Sequence, residues 1–228
     1  NEAVIGIIRR NSREPDKIGG DIHAQLACLE VGAQAIRRMV GRYGADAVVD
    51  AMAAILDQSE EAMKTVLRDL PDGVFWFTDL VDDDGQKAVD LEVVAEVTIK
   101  GDHCTVDLSE SADQAPGPVN CTLNMAKSGV YCALLSLGEG AVMANSGAYR
   151  PIEVVSRPGS ITNCRMPAPV ANRMATGHRI VTAVMGALAE AAPDRVPAAY
   201  YGVSYVMTLQ APDPIIEGEA RVYFEVEV

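Results

Sequence analysis

The stretch LEVVAEVTIKGDHCTVDLS, residues 91–109, constrains the fold of this chain more than any other. Apolar residues fall at every second position, Leu91, Val93, Ala95, Val97 and Ile99, and the alternation resumes beyond Gly101-Asp102 at Cys104, Val106 and Leu108. Successive side chains of a strand point to opposite faces, so the pattern predicts an antiparallel hairpin with one face turned to a core. Such a face needs a second layer, and the rest of the chain offers helices for it.

Just upstream, LPDGVFWFTDLVDDDG reads as an aromatic strand between two turns. Before it, Asp21 can cap a helix in which Ile22, Leu26, Leu29, Ala33, Ile36 and Val40 recur by alternating fours and threes, a buried stripe that ends at Gly41 or Gly44. Asp46 can cap a second helix carrying Val49, Met52 and Leu56, and Ser59 can open a third with Met63, Val66, Leu67 and Leu70. Further helices are expected near 122–137 and 176–190, the latter sharing Ile180, Val184 and Leu188 on one face, and further strands in AAYYGVSYVMTLQ and ARVYFEVEV. The expected fold class is α+β: a helical N-terminal unit, residues 1–70, packed on a mainly antiparallel β-sheet region with helices, residues 71–228. The last strand alternates up to Val228, leaving an open edge suited to self-association, and the first residue is Asn1. Both features suggest a fragment of a larger subunit.

Composition removes several function classes. A formal charge of -13 opposes phosphate backbones and anionic membrane surfaces, so no nucleic acid and no membrane partner is expected. No apolar run approaches the roughly 18 residues of a membrane span. Five cysteines without a CxxC pair fit reduced thiols in a cytoplasmic protein, each most simply a small buried apolar residue. The acid-rich DLVDDDG places Leu80 and Leu91 where a calcium loop needs carboxylates, and is read as a polar turn. No P-loop, dinucleotide fingerprint or nucleophile elbow is present. The three histidines form no HxH, HxxxH or HExxH pair, so no metal ligands are assigned.

Residues 145–179 break the periodicity with Gly, Pro, Asn and Arg yet keep apolar residues throughout, which suits an ordered functional loop. In Gly/Pro-punctuated loops lie Gln114, Asn120, Asn145, Arg150, Asn172, Arg173 and Thr176. Amides and guanidinium groups give paired donors for carbonyl or carboxylate oxygens, which makes Gln114, Asn120, Asn145, Arg150 and Arg173 candidate substrate-binding residues. The alternative is that they brace loop carbonyls that have no ladder partner, and spacing alone favours it. His178, near the start of a helix whose positive end lowers its pKa, is the candidate for proton transfer.

GDIHAQLACLEVG, LPDGVFWFTDLVDDDG, VDLSESADQAPGPVN, NSGAYRPIEVVSRPGS and MPAPVANRMATGHRI occur in the order and approximate spacing of the hydantoinase B family, and by them nearly the whole chain resembles it. That family includes subunits or halves of N-methylhydantoinase, 5-oxoprolinase and the ATP-dependent acetone and acetophenone carboxylases. The resemblance implies a hydantoinase A-type partner that uses ATP to activate a carbonyl or enolate oxygen, a small-molecule substrate, and a hetero- or homo-oligomer. It implies cyclic-amide hydrolysis, with ketone carboxylation or a non-catalytic subunit-interaction module as alternatives. It also implies that this fragment binds no cofactor and is inactive alone, a divalent metal being possible in the full-length subunit. The family's upstream motifs resembling DHxND and HHADIG are not in this chain, and Glu110-Ser111 stands where the family has Gly-Thr.

Overall fold

A computed structural model describes all residues except 1, 13, 200–204, 213–219 and 228. The chain divides into two compact units, Asn1–Ile55 and Leu56–Val228.

The first unit holds α1 (Glu2–Arg10), α2 (Pro15–Tyr43) and the beginning of α3 (Ala45–Arg68). Pro15 sits in the first turn of α2, where its fixed φ suits a helix and its missing N–H costs nothing. The helix therefore begins before Gly19-Gly20 and runs through them. The four-three stripe is helical as its spacing requires, but the expectation that it is buried fails: Leu26, Leu29 and Ile36 are 44%, 70% and 41% exposed. Periodicity states which face is apolar and is silent about whether anything covers it.

The second unit opens inside α3. The helices expected from Asp46 and from Ser59 are one helix, because no Gly or Pro interrupts residues 45–68. Ser59 lies buried in mid-helix, and Met63, Val66 and Leu67 beyond it join the core. Next come β1 (Gly73–Asp83), β2 (Val89–Lys100) and β3 (His103–Asp107), each pair antiparallel, with the Gly101-Asp102 turn where the alternation placed it. A short β4 (Ile152–Val155) inside the long loop adds to β3 in parallel, completing a sheet of order β1-β2-β3-β4.

Register fixes the faces. Phe75, Phe77, Asp79 and Val81 of β1 stand opposite Val97, Ala95, Val93 and Leu91 of β2, all on one face. Here Val93, Ala95, Val97 and Val106 are fully buried, joined by α4 (Leu123–Ser136) and α5 (Arg173–Ala191). Helix α5 packs on β1, β2 and α4, and Gly177, Ile180, Ala183, Val184, Ala187 and Leu188 are its buried residues that matter most to this layer. Burying each Val or Leu of this kind stabilises the unit by about 1.5–3 kcal/mol. A separate two-stranded antiparallel sheet joins β5 (Tyr205–Pro212) to β6 (Ala220–Glu227). The expected strand over 198–210 lies partly outside the described residues, as does the open edge at Val228.

Candidate functional site

The loop 113–121 and the segment 157–176 form a cradle held by polar side chains bonded to backbone groups. Asn120, fully buried, accepts the Ala115 N–H at 2.7 Å and donates to the carbonyls of Ala115, Gly117 and Pro169, each at 2.9 Å. Gln114 accepts the Arg165 N–H at 2.8 Å. Buried Thr176 donates to the Val119 carbonyl at 2.6 Å. The Cys121 thiol donates to the carbonyl of Arg173 at 3.1 Å, and burial pushes its pKa up to about 12, so it is no nucleophile at neutral pH. Buried Cys104 is likewise pushed up to about 12.

One carboxylate that the sequence reading passed over as part of a polar turn ties this cradle to β1. Asp84 is 1% exposed. One of its oxygens accepts the N–H groups of Gln86, Lys87 and Ala88 at 2.9, 2.8 and 3.0 Å, and the other accepts that of Gly117 at 2.7 Å. Burial pushes the Asp84 carboxyl up, but these four N–H groups outweigh it and hold the pKa below the usual carboxylate value. A Cβ at Gly117 would stand 1.9 Å from the Asp84 carbonyl oxygen, so only glycine fits there.

Asn145 and Arg150 lie elsewhere, against α3. The Asn145 amide donates to the Ser59 hydroxyl at 2.8 Å and accepts the Gly147 and Ala148 N–H groups. Arg150 Nη1 pairs with Asp57 at 2.7 Å and Glu60 at 2.9 Å. The hydrogen bond from Arg150, reinforced by one from Lys64, lowers the Glu60 pKa. The candidates thus fall into two groups: Gln114, Asn120 and Arg173 at the cradle, Asn145 and Arg150 on α3. Glu110 is exposed in the turn after β3, while the Ser111 hydroxyl is buried and bonds the Val94 backbone.

His178 lies on α5, half-buried and beyond the first turn, since the helix starts at Arg173. Its pKa is lowered as expected, but burial is the first cause and the neighbouring Arg179 charge the second, in place of the helix end. Along α5 opens a cleft of about 360 Å³ lined by Phe77, Asp79, Arg179, Thr182, Met185 and Ala189, with residues 196–199 on its other side. Small-molecule pockets span about 300–1,000 Å³ and combine apolar walls with a few placed polar groups. Here those groups are one cluster: Arg179 Nη1 is 3.2 Å from Asp79 Oδ2, and the Thr182 hydroxyl donates to that same oxygen. The Leu80 N–H donates to Asp79 Oδ1 at 2.8 Å. The sequence carries no local signal for this cluster: only the register opposite Val93 turns Asp79 to the core-facing side of β1, where an acid needs a partner. Arg179 and Thr182, at helical spacing three, face it together.

Among the described residues no group of three or more His, Cys, Asp or Glu side chains is arranged to hold a metal ion. No described helix is long and apolar enough to cross a membrane.

Comparison with known proteins gives this geometry a context. The chain is 34% identical over 201 residues to caprolactamase subunit beta of Pseudomonas jessenii, a match covering 87% of this chain and 34% of that protein. It is 26% identical over 194 residues to 5-oxoprolinase of Dictyostelium discoideum, covering 82% of this chain and 15% of that one. The crystal structure of the ATP-dependent caprolactamase from Pseudomonas jessenii superposes with a TM-score of 0.83 at 30% identity, over 97% of this chain and 38% of that chain. The chain therefore spans about a third of the caprolactamase subunit it matches. The family model for hydantoinase B/oxoprolinase matches residues 1–227, and with that match across both units the chain belongs to the hydantoinase B/oxoprolinase family.

Proposed function

We propose that this chain is a portion of a B-type subunit that acts with an ATP-using, A-type partner to hydrolyse cyclic amides such as hydantoins, 5-oxoproline or lactams, in a cytoplasmic hetero-oligomer. The observation that carries the reading is the correspondence of 97% of the chain with the ATP-dependent caprolactamase structure. Ring opening leaves the carboxylate tethered to an amine, or to a ureido group for a hydantoin, so reclosure competes at high effective concentration, and coupling to ATP drives the reaction forward. ATP belongs to the partner in this reading. The chain supplies the frame: Asn120, Gln114 and Asp84 set the cradle, Asn145 and Arg150 fix the long loop on α3, and His178, whose pKa burial lowers, is the candidate for proton transfer.

The test is to co-produce the full-length subunit with its A-type partner and follow ADP and ring-opened amino acid over a panel of hydantoins, 5-oxoproline and lactams. Ring opening is expected only with both subunits and ATP. Failure on the whole panel, or bicarbonate-dependent carboxylation of a ketone in its place, would overturn the reading.

A further inference from the structure

We propose that the cleft between β1 and α5 binds the amide edge of the cyclic substrate, with Asp79 receiving its N–H, Arg179 facing its carbonyl oxygen, and Phe77, Met185 and Ala189 packing its ring. The assignment rests on the cyclic-amide reading above and gives that substrate a site.

The geometry matches one feature that distinguishes ring amides from open ones. An open-chain secondary amide is trans, with N–H and C=O pointing in opposite directions, whereas a small ring forces the cis form and sets both groups on one side. A carboxylate beside a guanidinium offers an acceptor and a positive charge side by side, and Asp79 and Arg179 stand 3.2 Å apart at the cleft wall. An ionised carboxylate has about four acceptor positions. Those of Asp79 meet the Leu80 N–H, the Thr182 hydroxyl and Arg179 Nη1, which spans Oδ2 at 3.2 Å and Oδ1 at 3.5 Å, and a ligand N–H takes the place of the longer Arg179 contact on Oδ1 while the shorter one stays. Thr182 also fixes the carboxylate's direction, since it donates from the helix on which Arg179 stands. Both ions are largely but not fully covered, with side chains 17% and 20% exposed, so a ligand reaches them without opening the core.

The apolar wall is built to match. A Cβ at Gly186 would lie 2.5 Å from the Phe77 ring, so glycine at this point lets the ring lie directly on the backbone of α5. Phe77 is 43% exposed where its strand neighbours on the same face, Phe75 and Val81, are buried. An exposed aromatic beside a paired Asp and Arg is a surface for a ring with a polar amide edge, whose N–H and C=O meet the two ions side by side.

Two measurements test the proposal. In saturation-transfer NMR on the full-length subunit, 2-piperidone should receive saturation, while N-methyl-2-piperidone, lacking the N–H, and N-methylacetamide, a trans amide, should receive at least about threefold less. Equal saturation of the three, or none for 2-piperidone, would overturn it. In the assembled enzyme, Asp79→Asn should raise KM for a lactam about tenfold with kcat within about twofold, because a charge-assisted hydrogen bond made throughout the reaction is weakened. Lactam turnover with an unchanged KM would remove the cleft and leave the cyclic-amide function standing. Selective 2-piperidone binding to a protein whose assembly opens no ring would keep the cleft and remove that function.

Discussion

Residues 22–40 and residues 91–108 carry equally regular apolar patterns and meet different fates. In β2 and β3 the alternating Val93, Val97, Ile99 and Val106 are at most 2% exposed beneath the α4–α5 layer. In α2 the four-three series leaves Leu26, Leu29 and Ile36 between 41% and 70% exposed. Local spacing decides the secondary structure in both cases. Burial is decided by whether another part of the chain brings a complementary face, and Leu56–Val228 does so for its own sheet. The Asp79–Arg179 cleft and the Asn120 cradle both border this packed layer.

Four substitutions sharpen the contrast, from the largest expected loss to the smallest. Gly117→Ala drives a methyl into the Asp84 carbonyl and should cost at least about 4 kcal/mol, read as a fall in melting temperature or loss of soluble protein. A melt within two degrees of wild type would show that the 113–121 loop is not held as described. Ile99→Ala empties a fully packed position and should cost about 3 kcal/mol in urea unfolding.

Asp84→Asn should give a smaller loss that depends on pH. The folded-state pKa of Asp84 lies below its ordinary 3.8, so its stabilisation is complete above that value and disappears as pH falls through the folded value. Wild type and variant should therefore differ most at neutral pH and converge in acid; a difference that grows in acid would contradict the assignment. Leu29→Ala, at a position 70% exposed, should change stability by less than about 0.5 kcal/mol, although the sequence pattern ranks Leu29 with Ile99.

These substitutions also mark what the sequence made legible. The α+β class, the β2–β3 hairpin, α4 and α5 were readable because period two and period 3.6 are local signals. Strand β4 was not, since a four-residue parallel strand is defined by a partner some 48 residues away, as in the Thr105–Glu153 pairing. Ser59 looked like a cap because Ser and Glu resemble a helix start, yet its hydroxyl accepts from Asn145 in mid-helix. The polar loop residues were visible as a set, but not that Gln114 and Asn120 gather at one place and Asn145 and Arg150 at another. Asp79 and Thr182 meet across 103 residues, and Asp84 reaches Gly117 across 33, pairings that no window of local sequence contains.

The account rests on β2 and α5 forming the rigid platform from which the cleft and cradle are suspended, and native-state hydrogen exchange measures this directly. The slowest amides should be those of Val93, Ala95 and Val97 in β2 and of Ile180, Ala183 and Val184 in α5, exchanging only with global unfolding, while those of Leu26, Leu29 and Ile36 in α2 exchange orders of magnitude faster. Protection in α2 equal to that in β2 and α5 would contradict it.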